Sequence, residues 1–153
     1  MTSKETVMRA LVDALKAFFD GGNATNQIAA DKIRRFKINM IKDKPTETPS
    51  ISVVDDGESV PEVDDGTHIQ YLLLVRLHIV VKTTNPDDTL EGINNTISDI
   101  QKFCDTNQVG GDCSDIKFWS AEQIAASLAG VMDFISDAVV VLHLRYLRTK
   151  GSV

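Results

Sequence analysis

The side chains of this sequence that could perform chemistry are three histidines, two cysteines and two segments of opposite charge. His68, His78 and His143 are far apart in the chain, and no H-E-x-x-H or C-x-x-C motif provides a zinc-binding spacing. The phosphate-binding loops G-x-x-x-x-G-K-[ST] and G-x-G-x-x-G do not occur either. We therefore expect no catalytic residue, no metal ligand and no cofactor.

One possible constellation lies on two predicted strands. If these strands are antiparallel neighbours, Arg76 and His78 lie beside His143 and Arg145 on one sheet face. One hypothesis is a small enzyme that uses this face to bind an anion or carboxylate. The favoured alternative is a mildly basic face that contacts another subunit, because clustered positive charges without a nearby acid provide no general base.

Two adjoining segments carry opposite charge. Residues 32–44 include six basic side chains, whereas residues 55–65 include six acidic and no basic ones. The acidic segment lacks the ligand spacing of a calcium-binding loop. We predict an exposed acidic loop or loosely paired excursion at about 55–66. It faces a partner or a lumen, and the alternative is a solvated loop without a role. The candidate interface residues are Arg34, Arg35, Lys37, Asp55, Asp56, Glu58, Asp64, Asp65, Arg76, His78, His143 and Arg145.

Composition limits the classes of protein. The chain has 153 residues, of which 42% are hydrophobic and 25% charged, which is typical of one globular domain. Its net charge of −6 argues against general binding to nucleic acids. No apolar run is long enough for a membrane span or a signal peptide, so we expect production in the cytoplasm. Cys104 and Cys113 are predicted to be free thiols.

The hydrophobic patterns predict the elements that position these side chains. Helical spacing predicts one helix over 7–19, capped by Ser3, and another that begins at Pro86 and buries a stripe of Leu90, Ile93, Ile97, Ile100 and Cys104. Alternation predicts strands over 36–40, 50–54, 67–82 and 138–148. Two Val-Asp-Asp-Gly copies, at 54–57 and 63–66, predict turns. The pattern over 116–132 fits a helix or a strand.

This order of elements indicates an α+β fold. We predict a mixed or antiparallel sheet with two main helices packed on one face. The whole chain, 1–153, is predicted to form a single domain with flexible ends.

The arrangement resembles the tail terminator (tail completion) proteins of long-tailed bacteriophages and phage-like particles. The resemblance spans most of the chain, and it rests on the order and size of the elements more than on individual residues. The matching parts are the helix 7–19, the strand and turn 49–57, the strand 71–82, the helix 90–103, the Gly110-Gly111 loop and the strand 138–148.

The resemblance implies a structural virion protein and not an enzyme. Six subunits would form a ring on the finished tail tube, halt its polymerisation and present a surface to the head-completion or neck protein. DNA would pass through the lumen without specific binding, and no membrane would be involved. Assembly would take place in the host cytoplasm, with the protein located in the virion tail. The alternatives are a neck or head-completion ring protein of the same machinery and the small enzyme considered above.

Overall fold

The computed structural model describes residues 3–35, 49–58, 63–106, 109, 113–128 and 134–149. Two helices and six strands lie in these ranges, together with a short 3-10 turn at Ala30–Lys32. In chain order they are α1 (Lys4–Asp20), β1 (Ile33–Arg35), β2 (Ser50–Glu58), β3 (Val63–Asp64), β4 (His68–Thr83), α2 (Pro86–Asp105), β5 (Asp115–Leu128) and β6 (Phe134–Thr149).

The strands form one mixed sheet. Their order is β1-β2-β4-β6-β5, and β3 pairs with the beginning of β4. β1 runs parallel to β2, whereas the other pairs are antiparallel. Buried apolar side chains of both helices and of one sheet face join in a single core. The predicted α+β fold, with a mixed sheet and two helices on one face, is confirmed.

The pairing of β4 with β6 forms the centre of the sheet. Each strand has 16 residues, and the pairs run without interruption from His68–Thr149 to Thr83–Phe134. Successive side chains of a strand point to opposite faces. The core face therefore receives directly opposed apolar pairs, which are fully buried: Leu73–Leu144, Val75–Leu142 and Leu77–Val140.

Helix α1 agrees closely with its sequence pattern. The hydroxyl oxygen of Ser3 accepts a hydrogen bond from the backbone N–H of Thr6 (3.2 Å), which satisfies one of the free donors at the helix start. The residues at helical spacing form its buried face, which consists of Val7, Met8, Leu11, Val12, Leu15, Phe18 and Phe19.

Helix α2 begins as predicted, and Ile93, Ile100 and Cys104 of its predicted stripe are buried. Asn85 caps it by accepting from the N–H of Asp87 (2.9 Å). Leu90 and Ile97 are only partly buried, whereas the face against the sheet includes Thr89, Ile93, Thr96, Asp99, Ile100 and Phe103. The two threonines are tolerated because their hydroxyls donate to carbonyls one turn earlier, at 3.1 Å and 2.8 Å.

Several predicted boundaries in the sheet were wrong. The strand predicted over 50–54 continues to Glu58, because a register shift at Asp55–Gly57 absorbs the first Asp-Gly pair, with Gly57 at a φ of 115°. The second Asp-Gly pair does form a turn after β3. The prediction of an acidic loop over 55–66 is therefore wrong at 55–58 and 63–64, which belong to strands β2 and β3. The undecided segment forms β5, and the strand predicted over 36–40 lies outside the described residues.

Replacing Leu77 tests the central ladder. Leu77 is fully buried on the core face opposite Val140. We expect Leu77→Ala to lower the free energy of unfolding by about 2–5 kcal/mol, because it removes buried methyl groups and leaves a cavity. Urea denaturation measures this change. Leu147→Ala in β6, where the side chain is 47% exposed, is the matched control and should have little effect; equal losses would contradict the assignment of faces.

Candidate functional site

The four basic side chains predicted to cluster do share one face of the sheet. We call this the second face, opposite the helices; it carries Arg76 and His78 of β4 and His143 and Arg145 of β6. The predicted antiparallel neighbourhood of the two strands is confirmed. Each side chain, however, is opposite an apolar residue: the pairs are Arg76–Val141, His78–Val139, Leu74–His143 and Leu72–Arg145.

The register separates the four groups along the strands. Arg76 and His143 are offset by two positions, about 7 Å, and Arg76 and Arg145 by four, about 14 Å. His78 lies further still from Arg145. These side chains form a row along two strands and do not converge on one point. A single anion held by all four is excluded by this spacing.

Acidic neighbours also neutralise the row. Arg76 Nε lies 3.0 Å from Asp56 Oδ2, and Arg145 Nη1 lies 3.0 Å from Asp115 Oδ2. The expectation that these positive charges lack a nearby acid is therefore wrong. The ladder provides the reason, because it places β2 beside β4 and β5 beside β6. The second face is a surface of paired charges.

The most distinctive feature of the second face is Trp119. Its indole stacks on the His143 ring with centroids 4.3 Å apart and planes at 13°. The register between β5 and β6 shifts between Phe118 and Ser120, so Trp119 is the extra residue of a β-bulge. Its side chain is 61% exposed and that of Leu147 is 47% exposed. Within the described chain, these two are the exposed large hydrophobic residues.

Sequence reasoning did not single out Trp119 or Leu147. The one tryptophan of the chain was a signal, but it lies in the segment whose secondary structure the pattern left undecided. The sheet face to which the Trp119 side chain points depends on a β-bulge, and an alternating hydrophobic pattern does not predict a bulge.

The basic segment is bonded within the subunit. Arg35 Nη1 lies 2.8 Å from Glu5 Oε2 on α1, and Arg34 Nε donates to the Asp31 carbonyl at 2.6 Å. Hydrogen bonds from Arg35 and Arg9 lower the pKa of Glu5. Lys37 lies outside the described residues. The two described arginines of this segment thus help to fix α1 and β1.

Asp55 is not the exposed loop residue that was predicted. Its side chain is 17% exposed and pairs with Lys4 Nζ at 2.6 Å. The N–H of Gly57 also donates to it at 2.9 Å. Partial burial acts to raise the pKa of Asp55, but the hydrogen bonds from Lys4 and Gly57 outweigh it, and the pKa is lowered. Asp55 is partly buried because it lies in β2, where its carboxylate contacts Lys4 at the start of α1.

The other acidic candidates have separate positions. Asp56 and Glu58 are exposed in β2, and Glu58 accepts a hydrogen bond from the hydroxyl of Tyr146. Burial and this carboxylate raise the pKa of Tyr146. Asp65 is exposed and accepts from the backbone N–H groups of Thr67 and His68, which lower its pKa. In the backbone pairing of β3 with β4, Asp64 lies opposite Ile69. The acidic residues therefore do not form one continuous surface.

A buried carboxylate on α2 was missed by the sequence analysis. Asp99, only 2% exposed, accepts from the backbone N–H groups of Thr25 (2.9 Å) and Asn26 (3.0 Å). The Asn26 side chain in turn donates to the Gly92 carbonyl (3.2 Å). Asp99 is not part of the apolar stripe predicted for this helix. Its role is to hold the segment between α1 and β1 against α2.

Both cysteines are free, as predicted, and both are buried, which had been predicted for Cys104 alone. Burial raises the pKa of Cys104 to about 12 and that of Cys113 to about 11. At neutral pH both remain thiols, which are poor nucleophiles and poor metal ligands.

Over the described residues, no group of three His, Cys, Asp or Glu side chains is arranged to hold a metal ion. The same residues include no helix that is long and apolar enough to cross a membrane. The chain matches no protein-family model and no curated protein.

Lowering the pH tests the ion pair between Lys4 and Asp55. A carboxylate with a lowered pKa stabilises the folded state above its ordinary value of 3.8, and this stabilisation disappears as the pH falls through the folded-state pKa. We therefore expect Asp55→Asn to destabilise the protein at neutral pH and to converge with wild type in acid. Denaturation with urea across this pH range is the measurement. Asp13→Asn, an exposed change on α1, should run parallel to wild type; a constant deficit for Asp55→Asn would contradict the argument.

Replacing Asp99 tests the buried anchor. Asp99→Asn sets an amide N–H₂ against one of the two backbone donors and leaves that donor unpaired. We expect a loss of about 1–3 kcal/mol in unfolding free energy, measured with urea, and faster exchange of the Thr25 and Asn26 amides. Ser98→Ala, at the adjacent exposed position, is the control. Unchanged exchange rates in Asp99→Asn would show that the carboxylate is not the anchor.

Proposed function

We propose that this protein is a structural tail terminator of a long-tailed bacteriophage. Six copies form a ring on the end of the tail tube, stop its polymerisation and provide the surface that joins the head-completion or neck protein. The protein acts through contacts and without turnover of a substrate. It is assembled in the host cytoplasm and resides in the virion tail, and DNA passes the ring without specific binding.

The observation that carries this proposal is the asymmetry of the sheet. One face is covered by α1 and α2, whereas the second face presents Trp119 and Leu147 among paired charges. Exposed aromatic and aliphatic side chains with satisfied charges around them are typical of protein contacts. The order of helices and strands also agrees with the resemblance on which the proposal rests.

The second face supports a contact role better than catalysis. Its histidines are separated by the register, and its described arginines are paired with carboxylates. Such exposed ion pairs contribute little energy, and they neutralise these arginines within the subunit. A sheet face with exposed hydrophobic side chains suits contact with a large protein surface, such as the rim of a tube.

The test is a tube-capping experiment with the tail tube protein encoded by the same genome. We expect added protein to shorten the tubes and to appear as a ring on one end by electron microscopy. Native mass spectrometry of the bound ring should give six times 16.8 kDa, about 101 kDa. Tubes of unchanged length with bare ends would refute the proposal. Binding to the head connector without any effect on tubes would identify a head-completion protein instead.

A variant connects this activity to the second face. Leu147→Asp places a charge at one of the two exposed large hydrophobic side chains of the second face and should abolish capping without unfolding the protein. Gln101→Asp, an exposed change on the helical side, is the matched control and should cap normally. Capping by Leu147→Asp at the wild-type level would show that this side chain is not used.

A further inference from the structure

Strand β5 forms an open edge of the sheet. It ends the strand order and pairs with β6 on one side; in the described part of the chain, no strand lies on its other side. The N–H and C=O groups along such an edge are able to pair with another strand. Residues 119–122 are all exposed, as are Asp115 and Lys117. The edge is therefore open to a partner where its side chains are described.

The bulge at Trp119 gives this edge a symmetric charge pattern. Lys117 pairs with His143 and Glu122 with Val139, so both side chains lie on the second face. In a regular strand, two residues five positions apart would point to opposite faces. The extra residue at the bulge brings them to the same face, with Lys117 on one side of Trp119 and Glu122 on the other.

We propose that β5 is a contact between two copies of this chain. Two β5 edges pair in antiparallel orientation about a twofold axis through the bulge. Lys117 then lies opposite Glu122 of the partner subunit, and the reverse pair forms at the same time. Phe118 lies opposite Ala121 of the partner subunit, and both of these positions belong to the core face.

Charge complementarity selects this register. Shifting one strand by a single residue would set residues of opposite faces against each other. Within the described residues, neither Lys117 nor Glu122 has a charged partner of its own. Directly opposed unlike charges stabilise an antiparallel pair, and like charges destabilise it. The proposed register gives each of the two groups the opposite charge.

Lysine and bulges also serve to protect edges from pairing, which is the competing interpretation. The exposure of Trp119 favours the contact. A protective edge gains nothing from an indole that is 61% exposed, whereas in the paired edge two indoles lie next to the symmetry axis and lose contact with water. The stack on His143 holds the indole in place before the partner arrives.

This contact does not rest on the proposed function. A twofold contact uses the same surface on both subunits and closes at two copies, whereas a six-membered ring needs two different surfaces. The dimer is thus a form of the free protein that covers an edge otherwise prone to aggregation. The two associations differ in mass and can be measured separately.

The experiment determines the mass of the purified full chain by light scattering after size exclusion, over a dilution series. We expect a concentration-dependent species of twice 16.8 kDa, 33.6 kDa. Hydrogen exchange of the wild-type amides over 117–122 should slow as the concentration rises. Monomer at every concentration, or exchange rates independent of concentration, would overturn the proposal.

Charge reversal tests the register. Lys117→Glu or Glu122→Lys alone sets two pairs of like charges across the axis and should weaken the dimer about tenfold. The double variant restores unlike pairs and should recover the wild-type affinity. Glu91→Lys, an exposed reversal on α2, is the matched control and should dimerise normally. A dimer that resists both single reversals, or a double variant as weak as the singles, would show that the contact lies elsewhere.

Discussion

The antiparallel ladder between β4 and β6 is the constraint on which the remaining structure depends. Its pairs run without a bulge over two strands of 16 residues. Because side chains alternate, this one register sorts both strands at once into a core face and a second face. A slip of either strand by a single residue would place its own polar side chains, such as Arg76 of β4 or His143 of β6, under the helices. Burial of the opposed apolar pairs therefore specifies the register strongly, and β2 and β5 are added on either side of it.

The ladder also determines how the charges are used. The segregation of basic and acidic segments along the chain suggests surfaces that attract other subunits. In the folded protein, Arg35 binds Glu5, Lys4 binds Asp55 and Arg76 binds Asp56. These pairs connect α1 with the sheet and β2 with β4. These side chains, which the charge pattern of the sequence assigned to contacts with other subunits, are paired inside the subunit.

What is left for contacts is apolar surface and backbone. The second face presents Leu147 and the indole of Trp119, and β5 has no strand on its outer side among the described residues. The proposed ring would use the second face, whereas the proposed twofold dimer would use the edge of β5. Both proposals start from a sheet whose two described helices pack on one face, while Trp119 and Leu147 are exposed on the second face.

The sequence by itself determined the elements with regular patterns. The periodic apolar residues of α1 and of the two long strands depend on local geometry that each segment carries alone, as do the cap Ser3 and the helix-starting Pro86. From these the α+β fold and the antiparallel neighbourhood of β4 and β6 could be predicted. The pattern of α2 identified the helix and its buried residues Ile93, Ile100 and Cys104. It did not identify Thr89, Thr96 and Asp99, which are buried through hydrogen bonds that a hydropathy pattern does not contain.

Only the tertiary structure decided the site. The offset of Arg76 from Arg145 depends on the register between strands, and the partners of Asp55 and Asp99 are remote in the chain. The direction of Trp119 depends on one extra residue in β5 relative to β6. Each of these is a relation between two segments. A periodic pattern describes one segment at a time, and the register that relates them is set by packing and backbone pairing across the whole sheet.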